Sequence, residues 1–168
     1  QISTIETLCL YILSQNSTGN LDFATSTLKN NLRTYLSEHR MIGDSIEIKD
    51  GYIINFGVDF EIIVRPNHNN SEVLTNCINE LIEYFKTENH QFDQPILIKD
   101  VFVMLDKVKG VQTVKNVKFS NKVGGDYSQF AYDIDAATQN QVIYPSLDPS
   151  VSELRYPNED IKGRVVPL

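Results

Sequence analysis

The sequence predicts an α+β fold: a mainly antiparallel sheet with two to three amphipathic helices on one face, plus an extended proline-rich C-terminal arm. Three observations predict it. Residues 52–64 alternate side chains at a period of two, as a strand does. Residues 71–88 carry an apolar stripe at helical spacing. From residue 127 onward helical periodicity is gone, and four of the six prolines and four of the eight tyrosines lie there.

Taken in order, Ile5 to Leu13 is an apolar run of strand length, and Ser14 to Asn20, with Gly19, is a turn. From Asp22 to His39 the residues Phe23, Leu28, Leu32, Tyr35 and Leu36 recur at helical spacing. Asn20 or Asp22 is the expected cap, and Arg40 to Gly43 closes the helix. Ile46-Glu47-Ile48 alternates, and Lys49-Asp50-Gly51 turns.

The strand from Tyr52 to Val64 places Ile54, Phe56, Val58, Phe60 and Ile62 on one face, with Asp59 and Glu61 turned to solvent. In the helix from Ser71 to Glu88 the stripe is Leu74, Cys77, Ile78, Leu81, Ile82 and Phe85, with Ser71 as cap. Lys99 to Lys109 is a shorter helix, and Gly110 sits where a left-handed terminator is expected. In the strand from Val111 to Phe119, Val114 is out of phase with Val117 and Phe119, which predicts a bulge or an edge. For residues 52–120 the nearest common frame is a ferredoxin-like split βαβ arrangement.

Residues 1–121 are thus expected to form the core, divisible into subdomains 1–50 and 51–121, and residues 122–168 the arm. In the arm, Gly124-Gly125-Asp126 is a turn, and Phe130 to Asp135 and Gln141 to Tyr144 read as strands. Pro145, Pro149 and Pro157 each remove a backbone donor and push the preceding residue toward extended geometry. A stiff segment of this kind, rich in tyrosine, suits a half-wet contact surface. Its candidate interface residues are Tyr144, Pro145, Leu147, Asp148, Pro149, Arg155, Tyr156, Pro157, Asp160 and Arg164.

Charge and composition narrow the function. The chain has 168 residues, 41% hydrophobic and 22% charged, enough for one real core. A net charge of −7 argues against a phosphate-neutralising surface, so nucleic acid is not an expected partner. No apolar run has membrane-spanning length, so no membrane is expected either. Lys99, Lys107, Lys109, Lys115, Lys118 and Lys122 make one region locally basic, suited to an acidic neighbouring subunit.

Cys9 and Cys77 read as buried free thiols, and His39, His68 and His90 as exposed residues without metal-ligand spacing. Asp133 and Asp135, with Asp148 or Asp126, offer the one alternative chemistry: a cation site or the acid/base pair of a carboxylate-dependent hydrolase. A small-ligand regulatory domain on a ferredoxin-like frame is the other alternative. No glycine-rich phosphate loop or serine elbow is present in the sequence, and the expectation is a non-enzyme without cofactor or metal.

The tail Val142-Ile143-Tyr144-Pro145-Ser146-Leu147-Asp148-Pro149-Ser150, with Tyr156-Pro157-Asn158 and Asp160-Ile161-Lys162-Gly163-Arg164, resembles the C-terminal end of baseplate wedge proteins of contractile-tailed, T-even-type phages. Gln94-Pro95-Ile96 and Gly110-Val111-Gln112-Thr113-Val114 share that resemblance. The stretch from Leu21 to Val64, with an Arg-x-x-x-Asp turn at Arg40 to Asp44, is similar to the broader baseplate J family. The resemblance implies a structural virion protein of the tail baseplate, assembled in the host cytoplasm. It implies contacts with other copies of the chain, as a dimer or ring, and with other baseplate wedge proteins. It also implies that this chain is the C-terminal part of a longer subunit.

Overall fold

The computed structural model describes residues 7–39, 45–86 and 89–168. The fold is α+β, and the chain divides into two compact units, 1–52 and 53–168.

In the first unit, β1 (Thr7–Ile12) is followed by a short hairpin of β2 (Ser14–Gln15) and β3 (Leu21–Asp22), then α1 (Ser26–Ser37) and β4 (Ser45–Asp50). β4 runs parallel to β1, with Leu10 opposite Ile48. The helix starts later than its periodicity suggests, because Leu21 and Asp22 are extended in the hairpin. The cap is therefore Thr25, whose hydroxyl accepts from the Leu28 N–H, and not Asn20 or Asp22. Lys29 ties α1 to β4 through Asp50 at 2.6 Å. Among the described residues the buried apolar side chains here are Leu21, Ala24 and Ile48, while Phe23, Leu28 and Tyr35 stay exposed. Ile5, Glu6 and the turn from Arg40 to Asp44 lie outside the described residues.

The second unit is built on β5 (Tyr52–Val64). Ile54, Phe56, Val58, Phe60 and Ile62 all face the core, as period two requires. After β5 come α2 (Asn70–Tyr84), β6 (Ile96–Leu97), α3 (Ile98–Asp106) and β7 (Val111–Lys122). Asn69, and not Ser71, caps α2: its side chain accepts from the Ser71 and Glu72 N–H groups. Val73, Cys77, Leu81 and Phe85 are the buried stripe, with Leu74, Ile78 and Ile82 partly buried beside it. Burial pushes the Cys77 thiol up to about 11, so it is a packing group.

β7 runs antiparallel to β5. Glu61 faces Asn116 but Ile62 faces Val114, so Lys115 is an extra residue, and Gln112 is a second one further along. Those bulges account for the phase of Val114. Gly110 is in the left-handed region at φ 95°, and a Cβ there would meet Val73 and His68.

Residues 52–120 do not form the ferredoxin-like frame, because β5 and β7 are antiparallel neighbours with no strand between them. The place beside β5 on its other edge is taken by the C-terminal segment. Its elements are α4 (Ile134–Ala137), β8 (Thr138–Gln139), β9 (Val142–Ile143), β10 (Ser150–Glu153), the one-turn α5 (Pro157–Asp160) and β11 (Ile161–Val165). β10 and β11 both neighbour β5, and β11 runs parallel to it with Gly163 opposite Phe60. The expected division at 121/122 is thus replaced: the tail supplies strands of the central sheet. The physical reason is that β5, apolar at its centre and 13 residues long, needs a partner on each edge, and β7 covers one. Antiparallel pairings outnumber parallel ones, and β1–β4 and β5–β11 are parallel.

Candidate functional site

The candidate interface residues fall into two groups in space. The first group fastens the tail to the sheet and begins at Asn55. This residue points to the face of β5 opposite the helices, yet it is fully buried. Its Nδ2 donates to the Glu153 carboxyl at 3.0 Å, and its Oδ1 accepts from the Ser128 N–H at 2.7 Å. Asn121, opposite Phe56 on β7, extends the clasp: its Nδ2 donates to the Asn55 carbonyl at 2.9 Å and its Oδ1 accepts from the Tyr132 N–H. Glu153 is 1% exposed and is also met by Arg155 Nη1 at 3.4 Å. A buried carboxyl held by an amide and a guanidinium is a satisfied one.

Asp160 is buried in the same region, at the end of α5. Its Oδ1 accepts from the Tyr127 hydroxyl at 2.6 Å and its Oδ2 from the Tyr156 N–H at 3.1 Å. The hydrogen bond to Asp160, together with burial, pushes the Tyr127 phenol up to about 12. The Tyr127 and Tyr156 rings meet edge-on at 5.4 Å, and the Arg155 guanidinium lies 5.9 Å from the Tyr156 ring centre. Pro157 takes the first turn of α5, where a missing N–H costs nothing. Arg164, on β11, is paired with Glu61 of β5. Arg155, Tyr156, Pro157, Asp160 and Arg164 therefore bind the tail to its own domain.

The second group, Tyr144, Pro145, Leu147, Asp148 and Pro149, forms the loop from β9 to β10. It is anchored at both ends. The Tyr144 N–H donates to the Ala137 carbonyl, and the Tyr144 carbonyl accepts from the Tyr132 hydroxyl. At the far end, Ser150 and Asp93 exchange hydrogen bonds: the Asp93 N–H donates to the Ser150 carbonyl at 2.9 Å, and the Asp93 side chain accepts from the Ser150 N–H. Between the anchors, Leu147 is 106% exposed and Tyr144 50%. Phe92, beside Asp93, and Leu97, paired with Val142, are exposed on the segments flanking this loop. The loop thus holds an apolar tip away from the body.

The acidic alternative loses its strand. Phe130 to Asp133 is irregular, and Asp133 caps α4 by accepting from the Ala136 N–H at 3.0 Å. Asp135 lies in the first turn of α4, and Asp126, Asp133, Asp135 and Asp148 are all exposed. Among the described residues no group of three or more His, Cys, Asp or Glu could hold a metal ion. His39 and His68 are exposed. His90 is half-buried near the Phe85 ring, and burial lowers its pKa against an opposing backbone hydrogen bond with Ser152.

Sequence reasoning missed Asn55 and Glu153. A polar residue on the non-helical face of a strand is ordinarily solvated, and only knowledge of what covers that face reveals otherwise. No helix of the described chain is long and apolar enough to cross a membrane. No protein-family model and no curated protein matches this chain.

Proposed function

We propose that this chain is a structural assembly module: the C-terminal part of a wedge subunit in a contractile-tail baseplate, which contacts other copies of itself and other wedge proteins. The resemblance of residues 142–164 to phage baseplate wedge proteins supplies the identity of the assembly. The observation that carries the contact role is the β9–β10 loop, an anchored segment that presents Leu147 entirely to solvent. Leu147 and Tyr144 stand exposed on the same pinned loop, so a partner that covers them costs little ordering entropy. The polar groups that fasten the tail point the same way. Asn55, Glu153 and Asp160 are engaged in holding the fold, which leaves the loop as the part directed outward.

Deleting the tail does not test this, because the deletion removes strands from the central sheet. The test is the Tyr144→Ser, Leu147→Asp double variant, compared with the wild type by sedimentation velocity alone and with other wedge proteins. The expected result is loss of assembly with an unchanged circular dichroism spectrum and melting temperature. Assembly that persists in the double variant would refute the role of the loop.

A further inference from the structure

We propose a second partner site on the outer edge of β11, where an extended strand of alternating acidic and apolar residues adds to the sheet. The site stands on different residues from the β9–β10 loop and does not depend on the baseplate reading.

The backbone geometry comes first. Val165 lies opposite Ile62, and the Val166 N–H donates to the Ile62 carbonyl at 2.9 Å. In a parallel ladder this alternation turns the N–H and C=O groups of Lys162, Arg164 and Val166 toward β5. It turns those of Ile161, Gly163 and Val165 outward. Among the described residues, β11 has β5 as its one strand neighbour. The Ile161 N–H is taken up by the Pro157 carbonyl of α5. Gly163 and Val165 therefore present their donors and acceptors to the edge. Gly163 gives an independent sign of this. The space a Cβ would occupy is filled by Phe60 and Leu74, yet the residue is part-exposed, so its exposed surface is backbone. Gly57, in the middle of β5, is buried by contrast. Pro167, the next outward position, has no N–H and ends the edge.

The side chains then select the occupant. On the open face of the sheet, Lys162 and Arg164 stand two apart along β11, beside Asp59 and Glu61. Lys118 and Asn116 of β7 flank the same two carboxylates from the other side. Arg164 is paired with Glu61 but its side chain stays 71% exposed, so the edge strand shows a newcomer Lys162 and the outer side of the Arg164 guanidinium, and same-face residues are favoured when acidic. On the other face, Leu74 and Val165 are half-buried beside the edge and offer a shelf for alternate apolar side chains. A second copy of β11 fits badly. Antiparallel pairing about Gly163 would set Lys162 opposite the partner's Arg164, like charge against like. The edge is therefore guarded against itself and open to an acidic strand, the pattern by which main-chain bonds give affinity and alternate side chains give specificity.

The test titrates the 15N-labelled chain with three end-blocked ten-residue peptides: one alternating glutamate and valine, one alternating lysine and valine, and the glutamate peptide with alternate backbone amides methylated. The expected result is saturable shifts at Gly163 and Val165, and slowed exchange of their amides, with the glutamate peptide. Methylation should abolish binding. The lysine peptide should bind about tenfold more weakly, since two cross-strand charge pairs turn from attraction to repulsion. Lys162→Glu should shrink that ratio. Val165→Pro should block binding without unfolding, because the N–H it removes faces outward. Three outcomes of the peptide titration would overturn the proposal: equal binding of the two charged peptides, shifts that map elsewhere, or no binding at all, which would leave the two cations as mere edge protection. Self-association abolished by Val165→Pro would overturn it in favour of a homotypic edge.

Discussion

Replacing Asn55 with alanine should cost the second unit a large part of its stability. The side chain is fully buried and makes two kinds of contact: it donates to the Glu153 carboxyl at 3.0 Å and accepts from the Ser128 N–H at 2.7 Å. Alanine leaves both partners short of a bond in a place water does not reach. A buried group stripped of its partner costs about 1–3 kcal/mol, with carboxyl groups toward the upper end. Two such losses put the expected total at about 3 kcal/mol, a factor of roughly a hundred in the folded-to-unfolded ratio. With a urea slope of about 2 kcal/mol/M, the midpoint should move down by about 1.5 M. Urea unfolding followed by tyrosine fluorescence reads this directly, and hydrogen exchange locates it. Protection should fall first in residues 121–132 and 150–165, the segments the clasp holds. A double-mutant cycle with Glu153→Gln should show coupling of at least about 1 kcal/mol. A loss below about 1 kcal/mol, or strict additivity with Glu153→Gln, would refute the idea that Asn55 holds the tail in place.

Two further outcomes are expected. Gln141 sits in the left-handed region at φ 62°, next to Asn140 at φ 51°, in the two-residue turn joining β8 and β9. This turn type favours glycine at its second position, so Gln141→Gly should stabilise the unit by about 0.5–1 kcal/mol and raise its melting temperature by a few degrees in calorimetry. Tyr127 has its phenol pushed up to about 12 by the hydrogen bond to Asp160, so the folded state holds that proton more tightly than the unfolded one. Its contribution is fully present below pH ~10 and is lost as pH rises toward the folded value, and Tyr127→Phe should flatten this alkaline limb in denaturant titrations.

Much of the fold was legible because periodicity reports burial against a helix layer. Ile54 to Ile62 on β5 follow it, and so do Cys77, Leu81 and Phe85 on α2. Even the two bulges of β7 left a trace, since Val114 falls out of step with Val117. Legibility failed where burial came from a segment distant in sequence. The prolines of the tail announce extended, stiffened chain, but stiffness does not name the sheet edge it will occupy. Ile161-Lys162-Gly163-Arg164-Val165 alternates, yet Gly163 at a core-facing position conceals the pattern, because Phe60 and Leu74 fill its side-chain space. Phe130 to Asp135 shows the opposite error. It alternates like a strand, but Asp133 forms a cap and starts α4. In the first unit, helical spacing holds for Leu28 and Tyr35 on α1 but not for Phe23, which precedes the cap, and all three stay exposed, since spacing alone does not say whether a covering layer exists.

The placement of the tail bears on how the β9–β10 loop comes into being. β5 gains β7 after a connection of about fifty residues and β11 after about a hundred, so the second pairing closes the longer loop and carries the larger entropy cost. The β9–β10 loop lies within that last segment. One of its ends is pinned to the Ala137 carbonyl and the Tyr132 hydroxyl, the other to Asp93, which belongs to the helical half of the unit. Leu147 is therefore held in a fixed position only when the tail has docked. Before that, β5 lacks a partner along one edge and the loop has no anchors. A surface built this way couples its readiness for a partner to completion of the chain's own sheet, as the proposed assembly role requires.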